Sequence, residues 1–171
     1  VETAFASALE GMALPYGDVA VGNWRNAPYV VIQNVGGYID LPRFFGSAQP
    51  LADADDVPAY VSRVGEVAAI LDGETDRIRA ARAMGLIPPD FLLDKAIAQM
   101  EASIAAARES YAGPFAASPF AGEESALRSI EDSVARSIVP ALERQLAELK
   151  QQRASARDHA GMWAQPEGEA Y

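Results

Sequence analysis

Beyond residue 50, apolar residues recur mostly at helical spacing, and that recurrence sets the expected elements. Val57, Tyr60, Val61, Val64, Val67, Ala68 and Leu71 form one i, i+3, i+4 stripe. Asp55 or Asp56 can cap this helix, and Pro58 is tolerated in its first turn. Gly65 and Gly73 weaken it by about 1 kcal/mol each relative to alanine. A break or bend near Gly73 is expected, then a charged helix ending at Gly85, a residue suited to a helix C-terminus. A new start follows at Pro88–Asp90, and Leu93, Ile97, Met100, Ile104 and Ala107 make a 4-3-4-3 seam of the kind that packs helix on helix. Tyr111 to Glu124 reads as a Pro/Gly/Ala/Ser connector whose two phenylalanines tuck into the core. The last stripe is Leu127, Ile130, Val134, Ile138, Leu142, Leu146 and Leu149, with Pro140 expected to kink or split its helix.

The first fifty residues follow a different pattern. NAPYVVIQNVGGYIDLPRFF, Asn26 to Phe45, holds a β-branched run, a double glycine and two prolines. The run YVVIQNV has strand propensity but lacks strict alternation and a partner run, so a lone strand there would leave backbone groups unpaired. The expected architecture is mainly α, an irregular multi-helix array in one segment over 1–171. Residues 1–50 would be irregular with short helices, 51–110 a helical pair or triple, and 122–160 a long helix kinked at Pro140. The chain starts at Val1 inside helical-looking ETAFASALEG, which reads as a cut.

Composition narrows the chemistry. In 171 residues there are 24 acidic and 14 basic side chains, a formal charge of −10. Such a chain repels a phosphate backbone, so no nucleic-acid partner is expected. Arg77, Arg79 and Arg82, among Asp72, Glu74 and Asp76, read as a solvated, salt-bridged face. No apolar run approaches the ~20 residues of a membrane helix, so no membrane partner is expected. Without cysteine there is no disulfide or thiolate zinc site, and the compartment stays open.

Catalytic inventories stay incomplete. His159 is the one histidine, which rules out paired-histidine zinc ligation and reads as a surface residue. The acidic cluster Asp53–Asp56 lacks a calcium-loop pattern and reads as a helix cap. A Gly-x-Ser-x-Gly elbow is absent, and nothing marks out one carboxylate pair for glycoside hydrolysis. Gly36-Gly37 fits neither a P-loop nor a dinucleotide fingerprint. It reads as a break that uses positive φ, ahead of an anion nest. Trp24, Tyr29, Tyr38, Phe44 and Phe45 read as core aromatics.

The order of elements resembles the N-terminal part of a bacterial family, domain of unknown function 885. The residues that carry it begin with Asn26, Pro28, Tyr29, Gln33, Gly36 or Gly37, Leu41, Pro42 and Phe44. Pro50-Leu51, Ala59-Tyr60, Gly85 to Pro88, Val139-Pro140-Ala141, Gly161-x-Trp163 and Gly168 to Tyr171 follow. The resemblance implies an all-helical, metallopeptidase-like fold similar to the carboxypeptidase Taq group, of which this chain is an incomplete part. It implies zinc for the parent protein, held by a His-Glu motif downstream of Tyr171, and hence no cofactor, catalytic residue or metal ligand here. The partner would be the missing C-terminal part of the same polypeptide, the substrate a peptide, and the address periplasmic or secreted. Tyr29, Gln33 and Tyr38 are then the candidate substrate-lining residues, and their simpler reading is polar groups satisfied inside the fold. The competing expectation is a self-contained acidic helical binding domain without enzymatic activity.

Overall fold

The computed structural model describes residues 28–169, with Ala6 besides. Expectations for the helix near Val1, for Trp24 and Asn26, and for Ala170 and Tyr171 lie outside the described residues. Within them the fold is mainly α: α1 (Gly37–Ser47), α2 (Asp56–Ala83), α3 (Asp90–Ala105), α4 (Ala107–Ala116), α5 (Glu124–Ser133) and α6 (Val139–Ala154). A π-helical turn, Val134–Ile138, joins α5 to α6, and a 3-10 turn, Met162–Ala164, follows later.

The apolar stripes become the core. Tyr60, Val64, Val67 and Leu71 of α2 are buried, as are Leu93 and Met100 of α3 and Ile130, Ile138, Leu142 and Leu149 beyond. α6 lies against both α2 and α3, while α4 packs on α1 and α5 on α2. Aromatic rings close one end: Phe45 meets Tyr60 and Tyr111 edge-on, with centroids 5.2 and 5.4 Å apart. The Tyr60 hydroxyl donates to the Tyr111 carbonyl at 2.7 Å. Of the expected core aromatics, Tyr29, Tyr38 and Phe45 are buried, whereas Phe44 is exposed.

Several local expectations are corrected. Gly73 neither breaks nor bends α2 into two elements, because Asp56–Ala83 is one helix. The glycine is exposed, and its ~1 kcal/mol cost is small beside the burial of Leu71, Thr75 and Ile78 on the opposite face. The helix ends as expected at Gly85, with φ +79°. There the Leu86 amide donates to Ala81 O and the Gly85 amide to Arg82 O, the paired bonds of a Schellman cap. The connector expected from Tyr111 is shorter, since α4 runs through Pro114 to Ala116. Phe115 is fully buried there and Phe120 packs at the edge of the core. The final helical run stops at Ala154 rather than 160. Its interruption sits one turn ahead of Pro140, where the wider π turn relieves the clash between the proline ring and the preceding turn. YVVIQNV forms no strand, only the isolated bridge Ile32–Val35.

The arginine face is salt-bridged and partly solvated as expected, but one of its partners lies on another helix. Arg79 does pair with exposed Asp76, but Arg79 and Arg82 also reach across to Glu148 on α6, whose side chain is 3% exposed. Gln145, Glu148 and Gln152 are all buried on α6 and form a polar seam against α2. Gln145 Nε2 donates to Leu71 O at 3.2 Å and Gln152 Nε2 to Ile78 O at 3.5 Å.

A candidate functional site around the pinned loop

Residues 29–37 have no regular ladder: Ile32 and Val35 pair with each other, and side chains meet the Asn34 amide, the Ile32 carbonyl and the Gly37 amide. Asn34 adopts φ +60°, uncommon for a residue with a Cβ. A reciprocal amide pair with Gln99 holds it there: the Asn34 amide donates to Gln99 Oε1 at 3.0 Å, and Gln99 Nε2 donates to Asn34 Oδ1 at 2.9 Å. The buried Tyr38 hydroxyl lies 3.0 Å from Ile32 O and 2.8 Å from Gln99 Oε1. Burial pushes this phenol up to about 12, outweighing the lowering effect of its backbone hydrogen bond.

The double glycine breaks the chain at Gly36, φ +128°, the residue that precedes α1. Gly37 then donates its amide to both carboxylate oxygens of Glu74, at 2.9 and 3.0 Å. A Cβ on Gly37 would stand 3.1 Å from Glu74 Oε2, so glycine permits the approach. The start of α1 therefore does face an anion, supplied by α2 of the same chain. Gln145 Nε2 adds a second donor to Glu74 at 3.2 Å, while Gln145 Oε1 is buried with no hydrogen-bond partner. Desolvation nevertheless raises the Glu74 carboxyl, partly offset by the Gly37 and Gln145 bonds and by nearby Arg77.

The other end of the loop meets residues 155–166. Tyr29 is buried, and its hydroxyl accepts from Gln165 Nε2 at 3.0 Å and lies 3.7 Å from Met162 Sδ. Gln165 also clasps Ile87, donating to its carbonyl at 2.8 Å and accepting its amide at 3.3 Å. Beside this clasp is a cavity of about 510 Å³ between the Gly85–Pro89 turn and residues 155–166, with Arg157, His159 and Gln165 in its lining. Arg157 Nη1 donates to Ala164 O at 3.2 Å, and its backbone carbonyl accepts from the Asp90 amide at 2.9 Å. His159 is exposed and meets the Trp163 ring edge-on, with centroids 4.8 Å apart.

Tyr29 and Tyr38 thus hold opposite ends of one loop, and Tyr29 reaches the cavity wall through Gln165. Gln33, at the turn between them, is half-buried. The sequence reading did not find Glu74, Gln99, Arg157 or Gln165. Glu74, Gln99 and Gln165 act across long chain separations, which no local pattern records, and Arg157 sits in a segment without a distinguishing motif. The described residues supply no group of three or more His, Cys, Asp or Glu placed to hold a metal ion. The resemblance implies a zinc ion held downstream of Tyr171, and the described residues do not fit one.

Fold and loop together define a helical scaffold with a polar, side-chain-pinned segment beside a cavity that Arg157 lines. The chain belongs to the bacterial family described as "Bacterial protein of unknown function (DUF885)", which matches residues 2–171. Its fold is similar to that of a solved structure described as "the putative lipoprotein from Colwellia psychrerythraea", with a TM-score of 0.77 at 23% identity. That likeness covers 85% of this chain and 26% of the other. No curated protein matches the chain. No helix among the described residues is long and apolar enough to cross a membrane.

Proposed function

We propose that the chain is the non-catalytic N-terminal part of a zinc-dependent peptidase and forms one wall of its substrate cleft. The observation that carries this reading is the mismatch of lengths: 85% of the chain aligns with 26% of a much longer protein. A helical array of this kind is there a portion of a larger body. The pinned loop supports the same reading, because irregular backbone held by Tyr38, Gln99 and Glu74 keeps a rigid surface without a sheet. In this proposal Tyr29, Gln33 and Tyr38 line the substrate cleft, and zinc and its ligands belong to the remainder of the polypeptide. A periplasmic or secreted address belongs to the proposal too, drawing on the description of the Colwellia protein as a lipoprotein.

The test uses the natural gene product, measuring its intact mass, its zinc content and its hydrolysis of a peptide panel with and without chelator. A product longer than 171 residues, with about one zinc per molecule and chelator-sensitive hydrolysis, is expected. A metal-free product without hydrolysis would sink the peptidase reading and leave a helical binding domain. Hydrolysis by this chain alone in chelator would sink the non-catalytic assignment.

A further inference from the structure

The cavity beside the Gln165 clasp has a chemistry that the cleft-wall reading does not itself require. Its volume, about 510 Å³, falls within the ~300–1,000 Å³ of small-ligand pockets. Most arginines of this acidic chain are paired with carboxylates, including Arg79, Arg82, Arg108, Arg144 and Arg153. Arg157 is different. One of its nitrogens holds the Ala164 carbonyl, and no carboxylate lies within ion-pair distance among the described residues. Arg157 lines the cavity, and a guanidinium is a planar, permanently charged fork of donors of the kind that can hold two carboxylate oxygens.

The surroundings narrow the ligand. Ile87, Pro89, Ala164 and Pro166 give the cavity apolar walls. Three of the large exposed hydrophobic residues, Met84, Phe91 and Trp163, lie one or two chain positions from its lining. A free phosphate would use the cation and leave those walls bare. A carboxylate that carries an apolar group beside it would use both.

We propose that this cavity receives the α-carboxylate end of a peptide with an apolar last side chain, and that Arg157 is the residue that binds the carboxylate. The peptide identity rests on the cleft-wall reading; the carboxylate chemistry rests on Arg157 and the cavity alone. Ser155 and His159 are also in the lining.

The experiment is calorimetric titration of the natural gene product with N-acetyl-Ala-Leu and with its C-terminal amide. Inorganic phosphate is titrated as a separate ligand. The acid is expected to bind at least about tenfold more tightly than the amide, the lower end of what a hydrogen bond to a charged group contributes. Arg157→Gln keeps an N–H for Ala164 but removes the charge, and should abolish that difference, while Arg157→Lys retains part of it. Equal binding of acid and amide by the unaltered protein overturns the proposal without reference to any variant. So does an acid–amide difference that survives in full in Arg157→Gln. Phosphate binding as tight as the acid would mark a general anion site and overturn the peptide assignment. Peptide hydrolysis on the same preparation separates the two ideas. Hydrolysis with no acid–amide difference removes only the carboxylate site, and the difference without hydrolysis removes only the peptidase reading.

Discussion

Removing Arg82 should strand a buried carboxylate. Glu148 is 3% exposed and accepts from Arg82 Nε at 2.5 Å and from Arg82 Nη2 at 3.4 Å, with Arg79 Nε 3.6 Å away. Breaking a fully buried pair costs about 3–5 kcal/mol, mostly through the charge left unpaired. Here the Arg82 side chain is 39% exposed and Arg79 remains as a second cation, so the cost is reduced to about 2 kcal/mol. For a domain of this size that is a fall of roughly 4–8 °C in unfolding midpoint. Arg82→Ala, Glu148→Leu and the double variant, compared by urea unfolding, complete the cycle. The double variant should be less destabilised than the sum of the singles by about 1 kcal/mol or more. Strict additivity, or a loss below about 0.5 kcal/mol in Arg82→Ala, would refute the argument, because a surface pair behaves that way.

Three further outcomes follow from the same contacts. Desolvation raises Glu74 above its ordinary 4.5, so the folded state holds a proton that the unfolded state releases. The corresponding stability is present at low pH and is lost as pH rises from about 4.5 through the raised value. Glu74→Gln should therefore gain on the unaltered protein as pH rises, and parallel urea-unfolding profiles from pH 4.5 to 8 would contradict this. Tyr38 and Tyr60 are each pushed up to about 12 by burial, and Tyr111 is also raised. Their contribution is intact below the ordinary phenol value of 10 and is lost above it; phenolate absorbance that develops in step with loss of helix is the expected signature, and ionisation of all six tyrosines well before unfolding would exclude it. Gly85→Ala forces an alanine to φ +79° with its Cβ 3.2 Å from Pro166 Cγ, and should cost about 1–2 kcal/mol in thermal unfolding; no change would mean the Schellman cap relaxes freely.

How legible the fold was depends on whether the determining contact is local. The stripe through Tyr60, Val64 and Leu71 needs only helical spacing to be seen, and those residues are buried. Gly85 as a helix terminator likewise depends on its own φ. Gly73 misled because its propensity cost was weighed without the packed face opposite it. Arg82 read as part of a salt-bridged face, but its buried partner Glu148 is 66 positions away and could not be seen locally. The candidate site was legible only in part. Tyr29 and Tyr38 stood out as polar aromatics in an irregular run, but the groups that hold them, Gln165 and Gln99, sit in segments with no distinguishing pattern. Gln145, Glu148 and Gln152 recur at 3 and 4 residue spacing, so a second, polar periodicity was present in α6 beneath the leucine stripe.

That polar seam has a mechanical consequence. Two greasy helices can slide past each other by a turn, about 5.4 Å, and still find leucine against leucine. α6 cannot slide against α2 so easily. A one-turn slip would carry Glu148 away from both guanidiniums and strip the Leu71 and Ile78 carbonyls of their amide donors. The interface is indexed, with one notch. Because Arg157 follows directly from the end of α6 and Gly85 from the end of α2, that notch also sets the width of the cavity between them. An error of one tooth in the helix pair would become a mouth several ångströms too wide or too narrow at the far end.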